Sequence, residues 1–372
     1  MVLRQIPKLQ IGDLELSIPI IQGGMGVGIS LSGLASAVAN EGGIGVISTA
    51  GIGMLEPDFT GNFREANKRA LRREIKKARE ISDGVIGVNV MVAISDYYDL
   101  LQVTLEEGAD VVFLGAGLPL KIPRTLLPDS SGKAGIKAIP IVSSARAANL
   151  IFQSWARNYD HVPDAVVVEG PLAGGHLGFK KEQINDPDYA LEKILPEVIS
   201  VIEPYEKSFS KSIPVIAAGG VYTGTDIYRF IQMGAGGVQM ATRFVATHEC
   251  DASPAFKEAY VRCEQKDLTI INSPVGLPGR AIKNRFLEKI SAGMKRPIKC
   301  PWQCLKTCDF RTSPFCICDA LTNAKKGILE EGFAFAGANA YRINAITSVK
   351  ELIDSLLAAY TRAASVGEYA TT

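Results

Sequence analysis

Eight short apolar runs, separated by segments of helical periodicity, constrain this chain more than any other feature. Runs without polar alternation are typical of strands buried on both faces, as in parallel sheets. Eight such strand–helix repeats favour closure into a (β/α)₈ TIM barrel of the α/β class. The predicted strands are residues 18–21, 44–47, 85–91, 111–114, 139–142, 165–168, 213–217 and 237–240, and the predicted helices are residues 32–40, 63–80, 97–107, 145–154, 189–203 and 225–233.

The remaining residues are predicted to cover the two ends of the barrel. Residues 9–11 and 14–16 flank Gly12-Asp13 and predict a hairpin that plugs the bottom. A barrel needs about 250 residues, so we divide the 372 residues into three parts. The barrel is 1–249, a lid or substrate subdomain inserted after strand eight is 250–330, and 331–372 returns to the barrel, with a predicted closing helix at residues 348–360.

Composition excludes several classes of protein. The net charge of +1 gives no electrostatic basis for binding nucleic acid. The apolar runs are strand-sized, far below the roughly 18 residues of a membrane span. Residues 1–5 lack the pattern of a signal peptide, and seven cysteines without such a signal favour a reducing compartment. We therefore expect a cytoplasmic protein with a small-molecule substrate and neither nucleic acid nor membrane as partner; a homo-oligomer remains open.

Glycines follow the strands at which barrels often bind phosphate. Gly219 and Gly220 follow the seventh predicted strand, and Ala241 and Thr242 follow the eighth. In these loops backbone N–H groups face the anion, and glycine lets the backbone approach closely. The Thr242 hydroxyl adds a donor. We expect a phosphate site here; the alternative is that the glycines merely end strands.

A flat ring fits the mouth of the barrel near the first and third strands. Gly23, Gly24 and Met25 follow strand one and present bare backbone there. Asn89 lies inside the apolar third strand, where a buried amide needs polar partners. The carbonyl and N–H edge of a ring would supply them, and a structural hydrogen bond is the alternative.

His176 is the leading candidate for proton transfer. It is one of three histidines and lies in a glycine-rich loop after strand six, with Glu169, Gly174 and Gly175 before it. Catalytic groups gather at this end of a barrel, and the unperturbed pKa of histidine suits proton transfer near neutrality. An ordinary surface histidine is the alternative.

These motifs together resemble the nitronate monooxygenase family, also called 2-nitropropane dioxygenase, whose relatives include FMN-dependent enoyl-acyl-carrier-protein reductases. The resemblance covers roughly residues 15 to 250. The motifs are Gln22-Gly23-Gly24-Met25, Ala173-Gly174-Gly175-His176-Leu177-Gly178, Ala218-Gly219-Gly220 and Gly237-Val238-Gln239-Met240-Ala241-Thr242-Arg243-Phe244.

The resemblance implies an FMN cofactor and assigns roles to individual residues. Gly23, Gly24 and Met25 would line the flavin ring, with Asn89 in contact with it. The phosphate would lie against the glycine pair after strand seven, and His176 would transfer the proton. Many relatives have glycine where Ala241 stands, and the methyl is tolerated only if φ is negative. The full set implied for the cofactor is Gly23, Gly24, Met25, Asn89, Glu169, Gly174, Gly175, Gly219, Gly220, Gln239, Met240, Ala241 and Thr242.

Three functions fit this site. The first is FMN-dependent oxidation of alkyl nitronates with O₂, a monooxygenase reaction. The second is NAD(P)H-dependent flavin reduction of an enoyl thioester or a quinone, in which NAD(P)H is a co-substrate and His176 protonates the substrate. An acyl carrier would then need a basic rim, which could be provided, unless they form a solvated face, by Lys283, Arg285, Lys289, Lys295, Arg296 and Lys299. The third is a non-catalytic flavin redox sensor.

Five cysteines fall within a short part of the predicted lid: Cys300, Cys304, Cys308, Cys316 and Cys318. Their gaps match neither zinc fingers nor common ferredoxin spacings. Clustered cysteines in a reducing compartment nevertheless suggest metal or redox chemistry. Zinc or iron–sulfur binding, thiol redox chemistry and packing as reduced thiols all stay open.

Overall fold

The computed structural model describes residues 6–123, 126–127, 135–296, 299–300 and 302–369. Its strands are β1 (Leu9–Ile11), β2 (Leu14–Leu16), β3 (Ile20–Gln22), β4 (Gly45–Ser48), β5 (Ile86–Met91), β6 (Val111–Gly115), β7 (Lys137–Val142), β8 (Val166–Glu169), β9 (Gly175–His176), β10 (Val215–Ala218), β11 (Gly237–Met240), β12 (Leu268–Asn272) and β13 (Pro278–Ile282). Residues 1–5, on which the prediction about a signal peptide rests, lie outside the described ranges.

Eight of these strands form one parallel sheet in the order β3-β11-β10-β8-β7-β6-β5-β4. The sheet closes between its first and last strands, where the Gln22 N–H donates to the Ile44 carbonyl at 2.9 Å and the Ile44 N–H donates to the Ile20 carbonyl at 3.1 Å. The predicted (β/α)₈ barrel is confirmed. Each polar residue that ends a strand, such as Glu169 on β8, is thereby fixed at the carboxyl edge of the barrel.

The interior of the barrel is a separate apolar core that the N-terminal hairpin closes from below. Ile21, Phe113 and Val167 belong to this core and are fully buried. Leu9 and Ile11 of β1 pack into the same core. The Lys137 ammonium, at the start of β7, forms an ion pair with Asp13 in the hairpin turn, N···O 2.6 Å. The predicted plug is therefore confirmed, and it leaves the carboxyl ends of the strands as the open side.

The helices form the outer layer: α1 (Ser32–Asn40), α2 (Phe59–Ile81), α3 (Tyr97–Glu106), α4 (Ala145–Tyr159), α5 (Leu191–Phe209), α6 (Gly224–Gln232), α7 (Thr242–Val245), α8 (Pro254–Val261), α9 (Arg285–Ser291), α10 (Ile317–Lys325) and α11 (Val349–Tyr369). Helix α5 continues beyond its predicted end through Pro204 to Phe209, and Tyr205 and Phe209 in this extension pack against the core. Among the described helices, none is both long and apolar enough to cross a membrane.

The segment after strand eight is attached to the barrel mouth through a small antiparallel sheet. Strand β13 pairs with β12 on one side and with β9 on the other, where Gly279 stands opposite His176. Phe286, Phe315 and Phe333 pack together beside this sheet, with ring centroids 5.3–6.1 Å apart. The division into a barrel, a lid and a returning segment stays a prediction, but residues 250–330 do bear directly on His176.

Candidate active site

A cleft of about 500 Å³ lies where the carboxyl ends of β8, β10 and β11 meet. These three strands are neighbours in the sheet, so the residues that follow them converge although they are far apart in sequence. Strand β3 adjoins β11, and the Gly23 N–H donates to the Met240 carbonyl at 2.8 Å. Eight of the predicted cofactor residues line this cleft: Glu169, Gly174, Gly219, Gly220, Gln239, Met240, Ala241 and Thr242.

One end of the cleft is bare backbone of the kind that suits a phosphate. Gly219 and Gly220 have φ of +86° and +96°, values that L side chains rarely adopt. A Cβ at Gly219 would lie 2.7 Å from the Gly170 carbonyl oxygen. The Thr242 hydroxyl oxygen accepts the Gly337 N–H at 3.0 Å, which leaves its own proton free to donate. Ala241 has a φ of −119°, and at this negative value its methyl group is tolerated, as the sequence analysis required.

The other predicted ring-binding residues come together around Asn89. A Cβ at Gly24 would lie 2.5 Å from the Asn89 Cβ. The loop after β3 can therefore approach the Asn89 side chain this closely only because Gly24 has no side chain. The Asn89 backbone carbonyl accepts from Thr49, but its side-chain amide has no hydrogen-bond partner among the described residues. Met25 lies one residue further along and donates its N–H to the Ser30 hydroxyl at 2.8 Å. The glycine cradle and the unpartnered amide both fit a flat polar ring such as that of FMN.

His176 is held by the segment after strand eight. Its Nε2 lies 2.7 Å from the Ser273 hydroxyl oxygen, and its ring meets Phe335 edge-on at 5.0 Å between centroids. Burial lowers the pKa of His176 to about 4, because the apolar surroundings disfavour the charged imidazolium. The imidazole is therefore neutral at neutral pH.

Glu169 ends β8 and its carboxyl group lines the cleft. Burial raises the pKa of Glu169 to about 7, so a large fraction of the carboxyl is protonated near neutrality. A protonated carboxyl can donate a hydrogen bond to an anionic or carbonyl oxygen. The sequence predicted this residue but gave no sign of its protonation state.

Several residues that line or adjoin the cleft were not identified from the sequence alone. Asn339 donates its side-chain amide to the Gly220 carbonyl at 2.8 Å and so fixes the phosphate loop. The guanidinium carbons of Arg243 and Arg342 lie 4.4 and 4.3 Å from the ring centroid of Tyr222, which lines the cleft. The Arg243 guanidinium donates to the Tyr222 carbonyl at 3.2 Å, and within the described part of the chain neither arginine has a carboxylate partner, so both add positive charge beside the glycine end of the cleft. The Gly-Ala-Asn sequence at 337–339 could have indicated this loop, because glycine and asparagine are typical of turns.

Four of the five clustered cysteines, Cys300, Cys304, Cys308 and Cys316, line a second cavity of about 420 Å³. The fifth, Cys318, places its Sγ 3.5 Å from that of Cys304. In the described ranges, no three side chains of the types that bind metals converge as a formed metal site. The cysteines are therefore gathered in one place but do not form a coordination sphere.

The cysteine segment, residues 300–318, is docked on the loop that follows β5. The Ser95 N–H donates to the Cys304 carbonyl at 3.0 Å, and the Lys306 N–H donates to the Ala93 carbonyl at 2.9 Å. Three buried polar atoms without a hydrogen-bond partner among the described residues lie in or beside this contact: Ser95 Oγ, Tyr97 OH and Trp302 Nε1.

Comparison with known proteins agrees with this geometry. The family model for nitronate monooxygenase matches residues 8–101 and 91–359. A probable nitronate monooxygenase of Staphylococcus aureus (strain Newman) is 30% identical over 305 residues, which cover 75% of this chain and 79% of that protein. The structure of FabK from Thermotoga maritima is 30% identical, with a TM-score of 0.71 over 94% of each chain.

A nitroalkane oxidase from Streptomyces ansochromogenes shares the fold at 22% identity, with a TM-score of 0.69 over 94% of this chain and 98% of that one. The family match, on a closed barrel with a glycine-lined cleft at its carboxyl edge, makes the chain an FMN-dependent barrel oxidoreductase. Within that class, the chain belongs to the nitronate monooxygenase family.

Proposed function

We propose that this enzyme oxidises small alkyl nitronates with O₂, and the observation that carries the proposal is the neutral, half-buried imidazole of His176 at the barrel mouth. FMN, when bound, would supply the electron-accepting and oxygen chemistry. The protein has to hold that cofactor, bind the nitronate anion and exclude water.

Different residues of the cleft would bind different parts of the cofactor. The backbone at Gly219 and Gly220, together with the Thr242 hydroxyl, would bind the phosphate. The Asn89 amide would bind polar atoms at the edge of the ring. The protonated Glu169 carboxyl would donate to a cofactor oxygen, which an ionised carboxylate cannot do.

The protonation state of His176 favours oxidation over reduction. A neutral imidazole can donate one N–H to the oxygen of a nitronate, which is already an anion and needs no base. The reductase reaction instead needs His176 to deliver a proton after hydride transfer. Because burial lowers the pKa of His176 well below neutrality, the imidazole is mainly neutral at pH 7 and little of it carries the proton that this step needs.

The second candidate, an NAD(P)H-dependent reductase, is supported by the similarity to FabK across 94% of the chain. Three of the six residues of its expected basic rim are paired with carboxylates. Lys283 pairs with Glu288 at 3.2 Å, Arg285 with Glu330 at 3.9 Å, and Arg296 with Glu331 at 3.1 Å. Among the described residues, Lys289, Lys295 and Lys299 form no ion pair, so the rim keeps positive charge that would attract an acidic carrier. Membership of an enzyme family also favours catalysis over the non-catalytic sensor.

Anaerobic mixing separates the two enzyme reactions. FMN-loaded protein is mixed with propyl-2-nitronate, with NADH or with NADPH, and the visible absorbance of the flavin is followed. We expect the nitronate to bleach the flavin and oxygen to restore its colour. Rapid bleaching by NADH or NADPH with no response to nitronates would replace this proposal by the reductase.

We also propose that the cysteine segment binds a metal centre, either zinc or an iron–sulfur cluster. Thiolates are the ligands that both centres prefer, and four thiols already line one cavity. The unpartnered Ser95, Tyr97 and Trp302 donors could satisfy sulfur acceptors of an iron–sulfur cluster. Because the thiols do not yet form a coordination sphere, binding would have to draw the segment together.

A further inference from the structure

The hydroxyl group of Ser273 takes part in two hydrogen bonds. Its oxygen lies 2.7 Å from His176 Nε2 and also accepts the Val275 N–H at 3.4 Å. Ser273 is 6% exposed, so water cannot readily replace a missing partner. A hydroxyl offers one proton and two lone pairs, and this limits how the two contacts can be arranged.

Only one arrangement satisfies every group. If His176 Nε2 carried the proton, the Ser273 oxygen would accept twice, and its own proton would have no acceptor among the described residues. A buried hydrogen-bond donor that has no acceptor destabilises the folded protein. If the Ser273 hydroxyl donates to an unprotonated Nε2, then its proton, its oxygen and the imidazole nitrogen all have partners.

We infer that Ser273 is a positioning residue that holds His176 as the Nδ1–H tautomer. The Nδ1 atom has no protein partner in the described part of the chain, yet it is not among the buried atoms sealed from solvent. Nδ1 is thus a hydrogen-bond donor that stays accessible to solvent.

This tautomer selects the substrate class, and that step rests on the proposed function. An N–H donor binds a preformed anion such as a nitronate. It cannot remove a proton from a neutral nitroalkane, because the lone pair that would do so lies on Nε2 and is occupied by Ser273. The site therefore takes the ionised nitronate in preference to its neutral parent.

The tautomer can be measured without any turnover. The chain has three histidines, His161, His176 and His248, so a long-range ¹H–¹⁵N spectrum of uniformly labelled, FMN-loaded protein contains three imidazoles. His176→Gln identifies the signal by its loss. We expect the Nδ1–H pattern in the unmodified protein, a shift towards Nε2–H in Ser273→Ala, and the native pattern in Ser273→Thr, which keeps a hydroxyl. An Nε2–H pattern in the unmodified protein overturns the inference, even if both variants fail to fold.

Steady-state kinetics test the consequence for substrate choice. The ratio of kcat/KM for propyl-2-nitronate to that for neutral 2-nitropropane should exceed 100 and should fall at least tenfold in Ser273→Ala, mainly through a higher KM for the nitronate. Equal use of both compounds by the unmodified protein contradicts the selection. Turnover of neither compound, with the Nδ1–H pattern intact, rejects the proposed function but leaves the role of Ser273 standing.

Discussion

Replacing Gly219 by alanine tests whether bare backbone at the end of β10 is what binds the cofactor. At φ of +86° any Cβ is strained, by about 1–2 kcal/mol. The added Cβ would also lie 2.7 Å from the carbonyl oxygen and 3.0 Å from the nitrogen of Gly170. Relieving such overpacking costs typically about 1–3 kcal/mol. We therefore expect a total loss of about 2–5 kcal/mol in the free energy of unfolding.

Gly293→Ala is the matched control. It has φ of +93°, but a Cβ there meets nothing within 4 Å, so it carries only the backbone strain, about 1–2 kcal/mol. Urea unfolding of both apoproteins measures stability, and quenching of flavin fluorescence measures FMN affinity. Gly219→Ala should lose at least about tenfold in FMN affinity, about 1.4 kcal/mol, while Gly293→Ala keeps the native value. Equal stability losses with unchanged FMN affinity in both variants would refute the reasoning.

Three further predictions concern the other groups of the site. FMN affinity should fall as pH rises from 6 to 8, because the Glu169 carboxyl, with its pKa raised to about 7, loses its donor proton and becomes an anion over that range. Glu169→Gln keeps a donor and should flatten this pH dependence in parallel titrations. An unchanged slope in the variant would remove Glu169 from the cofactor site. His176→Ala should retain FMN but lose about 10²–10³-fold in turnover of propyl-2-nitronate, because the N–H donor to the anion is removed; near-native turnover of this nitronate would exclude His176 from the mechanism. Anaerobically purified protein should contain stoichiometric zinc or iron, with its thiols protected until a chelator is added; elemental analysis that finds neither metal, with all thiols freely titratable, would leave packing as the role of the cysteine segment.

The barrel could be predicted because its strands are continuous apolar runs of limited length. Strand β11 begins and ends at the predicted residues, and other strands are shifted by one or two residues at an end, as where Glu169 continues β8 and Ala218 continues β10. Helix α2 starts at Phe59 rather than at residue 63 because a non-helical Asn62, with φ of −149°, joins an extra turn to it. Periodicity identifies the element, but such a kink depends on local packing.

That residues such as Gly219 and Thr242 line one cleft could be predicted because parallel strands share one carboxyl edge. Gly219 and Thr242 follow adjacent strands, so their proximity depends only on strand order. Ser273 could not be found in this way. Its contact with His176 spans 97 positions of sequence and exists only because β13 pairs with β9, a pairing between short strands that no local pattern specifies.

The pairing of β9 with β13 also limits how the enzyme can diversify. His176 belongs to the same small sheet as the segment that follows strand eight, and Leu177 donates its N–H to the Pro278 carbonyl at 2.9 Å. That segment cannot swing away as a hinged flap without carrying the imidazole with it. Replacing the segment between β11 and α11 by a different one would therefore change both the shape of the pocket and the pKa of His176. New substrate preferences in this lineage should therefore arise together with altered pH profiles.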